Sequence, residues 1–129
     1  MFFDPGSHKQ HGLRHDPFKA IVSPRPIGWI SSISADGRHN LAPYSFFNAM
    51  SYGPPIIAFG AGNRPGGGKK DSILNIEETG EFVHNVVSYA LRDKMNETSI
   101  HIPHGDSEFE HSGLEGLPST KVKPLRVKV

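Results

Sequence analysis

Cysteine is absent from the whole chain, and that absence removes several chemistries together. Disulfide staples, thiolate metal sites and cysteine nucleophiles all need the missing sulfur. A thiol-free chain suits a reducing compartment, so the cytoplasm is the expected location. Long apolar runs are missing as well. No stretch approaches the roughly 18 apolar residues of a membrane span. The opening Met1-Phe2-Phe3-Asp4-Pro5-Gly6 lacks the basic-then-apolar order of a secretory signal. Charge of one sign is scarce too: the formal net charge is +1, and Lys69-Lys70 is the only adjacent basic pair. A nucleic-acid partner would need a basic stripe to track phosphates, and none is present. Apolar residues themselves are few, at 36% of the chain, so any core is lean.

Glycine and proline are plentiful instead. Fourteen glycines and eleven prolines stand among 129 residues, a level that suits short strands joined by turns and argues against a helical bundle. The length is that of one domain. Residues 1–20 read as a polar, His-rich surface leader, and residues 21–129 as the domain proper. Pro24-Arg25-Pro26 imposes an extended entry, because each proline biases the residue before it away from helix. Ile27 to Ser34 then reads as a strand, with Trp29, Ser31 and Ile33 on one face and Ile30, Ser32 and Ser34 on the other. Ala35-Asp36-Gly37-Arg38 is a hairpin signal, returning His39 to Ala42 antiparallel.

Pro43 to Tyr52 is crowded with aromatics. Ile56 to Phe59 is a further strand. Ile73, Leu74 and Ile76 predict a short helix stopping at Gly80, with Asp71 or Ser72 as its N-cap. Glu81 to Ser88 returns to strand, Ser88 opens a second helix running to about Asn96, and Ser107 to Gly113 gives one more helical turn. Lys121 to Val129 begins another strand. These make four strands and part of a fifth, fewer than a small barrel needs to close.

Two groups of residues carry chemistry. The loop from Gly60 to Gly68 lets backbone amides approach a ligand where a Cβ would block them. It delivers Lys70 beside Ser72 at a predicted helix start, where unpaired N–H groups favour an anion. It matches neither the triphosphate loop nor the dinucleotide fingerprint, and a mobile loop with solvated lysines would look the same. The second group is Trp29-Ile30-Ser31-Ser32 with Tyr44-Ser45-Phe46-Phe47-Asn48. Aromatics interleaved with small polar residues can form a flat apolar slot edged by hydrogen-bond donors, as an isoalloxazine ring requires. Ser31 and Ser32 point to opposite faces, so at most one hydroxyl meets a ligand. Ordinary barrel core would give the same pattern.

The remaining polar groups offer less. Of the eight histidines, His101 and His104 are separated by Pro103, and no third ligand stands at a metal-site spacing. His84 falls in an apolar strand, facing outward or making a buried hydrogen bond. Glu77-Glu78, Glu81 and Glu108-Glu110 read as solvated faces, with no opposed pair for acid/base work. No Gly-x-Ser-x-Gly turn offers a serine nucleophile.

Taken in order, these segments resemble the flavin reductase-like family of FMN-binding split barrels. The resemblance runs through His15-Asp16-Pro17-Phe18-Lys19-Ala20, Pro24 to Ser32, Asn40 to Asn48 and Asn63-Arg64-Pro65-Gly66. It continues through Lys69-Lys70-Asp71-Ser72, Asn75-Ile76, Thr79 to Val83 and Phe109 to Leu114. It implies a mainly β fold, an antiparallel Greek-key split β-barrel with short helices, as a homodimer. It also implies a flavin, FMN before FAD, reduced by NAD(P)H. By position, Trp29, Ile30, Ser31 and Ser32 with Ser45, Phe46, Phe47 and Asn48 would line the ring and ribityl chain. Lys70, Asp71 and Ser72 would form the phosphate turn, Lys70 and Ser72 gripping the phosphate and Arg25 nearby. No catalytic acid or base is implied. The family has Thr where Ser72 stands and an apolar residue where His84 stands. Its members continue beyond the position of Val129 with strands that complete the barrel. A chain without them suggests the alternative of a non-enzymatic flavin carrier or structural module.

Overall fold

The computed structural model describes Asp4 and residues 6–129. A 3-10 turn at His8–His11 and the short helix α1 (Phe18–Ile21) lead into β1 (Gly28–Ile33), β2 (His39–Tyr44), β3 (Phe47–Tyr52) and β4 (Pro55–Phe59). Helix α2 (Asp71–Thr79), β5 (Val83–Asn85), a 3-10 turn at Tyr89–Leu91, α3 (Arg92–Glu97) and α4 (Glu108–Ser112) follow. Strands β6 (Gly116–Leu117) and β7 (Arg126–Val127) end the order.

All strand pairs are antiparallel, in three sheets: β2-β1-β5, β3-β4 and β6-β7. Among the described residues the sheets do not close into a barrel. The expected hairpin is present, with Ile33 opposite His39 and Gly28 opposite Tyr44. Strand β3 was not expected. Its run Phe-Asn-Ala-Met-Ser-Tyr has no apolar/polar alternation, because both of its faces are largely open. The strand expected over Glu81 to Ser88 shrinks to three residues. Beyond it, the Asn85 side chain replaces a ladder: Oδ1 accepts the Val127 N–H at 2.8 Å, and Nδ2 donates to the Trp29 carbonyl and Ser31 Oγ, each at 3.2 Å. The tail is correspondingly a two-residue strand.

The central sheet has two differently built sides. Trp29 and Ser31 point to the apolar core, where Trp29 packs with Leu41, Phe109 and Val127. Ser32 points the other way, to α2, whose Asn75 Nδ2 donates to Ser32 Oγ at 3.1 Å. The alternation read from the sequence therefore holds. The buried face of α2 is Ser72 and Asn75, while Leu74 is 40% exposed. This helix is seated by hydrogen bonds more than by apolar burial. Its N-cap is Lys70, in place of Asp71 or Ser72, since both of those side chains are bonded to other elements. It ends at Gly80 in the left-handed conformation. Near its other end, Gly28 of β1 lies under Phe47, where a Cβ would overlap the ring. That contact presses β3 onto the sheet.

Candidate functional site

Two clefts draw their linings from the end of β2 and the residues that follow it. The first, of about 260 Å³, is lined by Asn40, Tyr44, Arg64, Lys70, Ser72 and Glu108 among others. The second, of about 580 Å³, is bordered by Arg25, Ser45, Phe46, Phe47, Asn48 and Phe59. Tyr44 lines the first and packs against Phe59 of the second: Lys70 Nζ lies 5.3 Å from its ring centroid, and the Phe59 ring centroid is 5.0 Å away.

The expected site residues fall into three sets. Lys70, Asp71 and Ser72 line the first cleft, while Arg25 and Ser45 to Asn48 line the second. Trp29, Ile30, Ser31 and Ser32 line neither, all four being fully buried. Trp29 Nε1 donates to Thr98 Oγ1 at 2.9 Å, so this indole is core. Ser31 donates to the Leu125 carbonyl, and Ser32 lies between Asn75 and Asn40. Both hydroxyls are bonded inside the protein, which is within the expectation that at most one of them meets a ligand.

Arg25 is likewise engaged. Its guanidinium donates to the carbonyls of Lys19 and Val22 and to Ser45 Oγ, and lies 5.5 Å from the Phe46 ring centroid. It fastens α1, whose Phe18 meets Phe46 edge-on at 6.0 Å, against the second cleft.

At the start of α2 the charges divide unequally. The Asp71 carboxylate pairs with Arg64, which neutralises it, and also contacts His104 Nδ1. Lys69 is paired with Glu77 at 2.6 Å. Lys70 forms no ion pair with any described residue and is half-buried. The first helical bonds run from Ile73 and Leu74 to the Lys70 carbonyl, which leaves the N–H groups of Asp71 and Ser72 ahead of the bonded turn. Gly66, Gly67 and Gly68, all at positive φ, fold the preceding loop back so that Arg64 N–H reaches the Gly68 carbonyl at 2.9 Å.

Beneath this turn runs a buried chain of polar groups. Tyr44 Oη donates to Ser72 Oγ at 2.8 Å, and Ser72 Oγ to Asn40 Oδ1 at 2.5 Å. Asn40 Nδ2 donates to Glu108 at 2.9 and 2.7 Å, and Leu41 N–H donates to the same carboxylate at 3.0 Å. Glu108 is only 6% exposed, which corrects its reading as a solvated face. Burial holds its carboxyl above the ordinary carboxylate range, partly offset by the Leu41 N–H. Burial also raises the Tyr44 hydroxyl, against the bond to Ser72.

Asn40 and Glu108 lie 68 residues apart, with no local pattern to announce them. Arg64 and His104 meet Asp71 from separate loops. The His84 side chain is half-buried and has no hydrogen-bond partner among the described residues, so neither expectation is met. It stacks on Phe47, ring centroids 4.6 Å apart. No three His, Cys, Asp or Glu residues gather into a metal-binding group among the described residues. Nor is any helix there long and apolar enough to cross a membrane.

Comparison with known proteins places this architecture. The family described as "Flavin reductase like domain" matches residues 22–128, and the chain belongs to it. An uncharacterized protein of Aquifex aeolicus is 44% identical over 108 residues, covering 84% of this chain and 55% of that one. Among solved structures, nitrilotriacetate monooxygenase component B from Bacillus cereus superposes with a TM-score of 0.84 at 29% identity, covering 99% of this chain and 62% of the other. The 2-nitrobenzoate 2-nitroreductase NbaA of Pseudomonas fluorescens gives 0.73 at 31% identity, over 91% of this chain and 57% of the other. The chain spans about half the length of the curated relatives it matches.

Proposed function

We propose that the protein binds FMN across these two clefts and acts as a flavin reductase-type oxidoreductase with NAD(P)H as the reductant. One observation carries the reading. Lys70, an unneutralised cation, stands at the open N-terminus of α2, beside an aromatic and polar cleft. A phosphate there would meet full charge from Lys70 Nζ and the N–H groups of Asp71 and Ser72. Arg64 cancels the Asp71 carboxylate, which would otherwise repel it. Phe46, Phe47 and Asn48 offer the neighbouring cleft a flat apolar wall with an amide at its edge, and Arg25 and Ser45 hold that wall in place. Trp29 to Ser32 support both clefts from inside.

These residues fit a mononucleotide flavin, with a cationic end for phosphate and an aromatic end for rings. When bound, the flavin supplies the hydride chemistry. The chain's residues bind it, orient it and shape its electrostatics. A second copy covering the exposed Met50, Tyr52 and Ile56 of the β3–β4 ribbon would make the homodimer, visible by analytical ultracentrifugation.

The purified protein should be yellow, or become so with FMN, and should oxidise NAD(P)H when FMN is present. A colourless protein with no FMN-dependent rise in melting temperature would sink the reading, since a ligand specific to the native state must stabilise it. Bound flavin with no nicotinamide oxidation would leave a flavin carrier without turnover.

A further inference from the structure

We propose that α1 and the Phe46 wall form a separate subsite for the adenylate half of the nicotinamide dinucleotide. The inference rests on the flavin-binding reading above and extends it to the reductant.

A third cleft, of about 570 Å³, is lined by His15, Asp16, Phe18, Lys19, Ile21 and Phe46 among others. Phe18, Ile21 and Phe46 are 58%, 73% and 39% exposed. A chain this poor in apolar residues leaves three large ones open together, and such a patch marks a surface that meets a ligand or partner. The patch is also braced. Helix α1 is four residues long, too short to hold its shape alone. Arg25 fixes it by donating to the Lys19 and Val22 carbonyls and to Ser45 Oγ, while lying 5.5 Å from the Phe46 ring centroid. Phe18 and Phe46 then meet edge to face, their centroids 6.0 Å apart.

A corner of two rings offers a stacking face to a flat base. Lys19 forms no ion pair with any described residue, so its charge is open to a pyrophosphate. Asp16 Oδ1 accepts the Phe18 N–H at 2.9 Å, and the carboxylate keeps lone pairs for ribose hydroxyls. Base, sugar and phosphates together are an adenine nucleotide.

Position selects which dinucleotide carries it. Phe46 lines both this cleft and the second one, so the third cleft borders the end proposed for the flavin ring. A nicotinamide has to reach that ring. The adenine of FAD would instead extend from the phosphate end, at the first cleft, which shares no lining residue with the third. The adenylate half therefore belongs to the reductant.

The test is an NMR titration of the full chain saturated with FMN. ADP-ribose carries the adenylate half without the nicotinamide, and ribose 5-phosphate lacks the base. ADP-ribose should shift the Phe18 and Lys19 amides at concentrations where ribose 5-phosphate does not. Phe18→Ala should weaken ADP-ribose about tenfold, within the range of base–aromatic stacking. Lys19→Ala should weaken it about threefold, as for a solvated ion pair. Phe18→Tyr keeps the ring and should keep the affinity, which separates stacking from a collapse of α1. FMN affinity, read by fluorescence, should stay the same in all three variants. No binding of ADP-ribose, equal affinity in every variant, or a parallel loss of FMN overturns the inference while flavin binding stands. So does FAD binding more tightly than FMN with that advantage lost in Phe18→Ala, since the adenylate would then be the flavin's. If the wild-type chain binds no FMN, the functional reading falls and this inference with it.

Discussion

At the scale of single residues, the site is decided by which charges are already spent. Lys69 and Arg64 have carboxylate partners and Lys70 has none among the described residues, so three neighbouring cations differ in what they can offer a ligand. Lys70→Ala is expected to weaken FMN about tenfold, roughly 1.4 kcal/mol, while riboflavin affinity stays within about twofold. Parallel titrations check this, and equal losses for both flavins would refute it. His84 makes a different prediction. Burial lowers its pKa below the ordinary value of 6.5, so the fold prefers the neutral ring. That contribution is complete above the ordinary value and is lost as pH falls through the depressed one. His39 shifts the same way. Glu108, raised by burial, contributes with the opposite slope, present below its ordinary value and lost as pH rises. His84→Phe should therefore flatten part of the fall in melting temperature below about pH 6.5 while keeping the stack on Phe47. An unchanged slope would show that His84 does not titrate with folding.

Among the elements, the closest fit is between β1 and β3. Gly28 has no Cβ, and Phe47 occupies the space one would take. Gly28→Ala should destabilise by about 1–3 kcal/mol, as overpacking does, although alanine in a strand otherwise restricts the unfolded chain favourably. Urea denaturation measures it, and Gly28→Ala with Phe47→Leu should recover part of the loss. This contact also shows where sequence reading stopped. β1, the Ala35–Arg38 turn, β4 and the end of α2 at Gly80 were legible, since alternation, turn residues and a C-cap glycine are local signals. β3 was not, because a strand open on both faces has no buried face to impose a period. The N-cap of α2 was misplaced for a related reason. Asp71 and Ser72 are good capping residues whose side chains are claimed by Arg64, His104 and Asn40, partners distant in sequence. The Lys70–Ser72 turn and the aromatic segment were recognisable from residue types, whereas the bonds that commit Ser31, Ser32 and Ser72 inward depend on Leu125, Asn75 and Asn40.

For the whole molecule, stability is unevenly spread. Trp29, Ile30 and Leu41 are fully buried in the β2-β1-β5 sheet, but β3-β4 is a two-stranded ribbon with Tyr52 99% and Met50 63% exposed. A lone ribbon is marginal in water. Hydrogen exchange should release the β3 and β4 amides well before those of β1 and β2, in the protein without ligand. FMN should slow exchange first at Phe47 and Asn48, where the proposed ring site begins. Uniform protection across both sheets would contradict this division.

The polar seat of α2 has a consequence for how an anion is received. A helix lying on smooth hydrocarbon can roll or slide by small steps, because dispersion contacts are individually weak and non-directional. One keyed through Ser72 and Asn75 to Asn40 and Ser32 moves only by breaking directional bonds in a dry interior. The docking point proposed there for an anion would therefore be cut to shape before anything arrives. Selectivity at that end would come from a rigid lock, and adaptation to differently shaped ligands would fall to the loosely held ribbon.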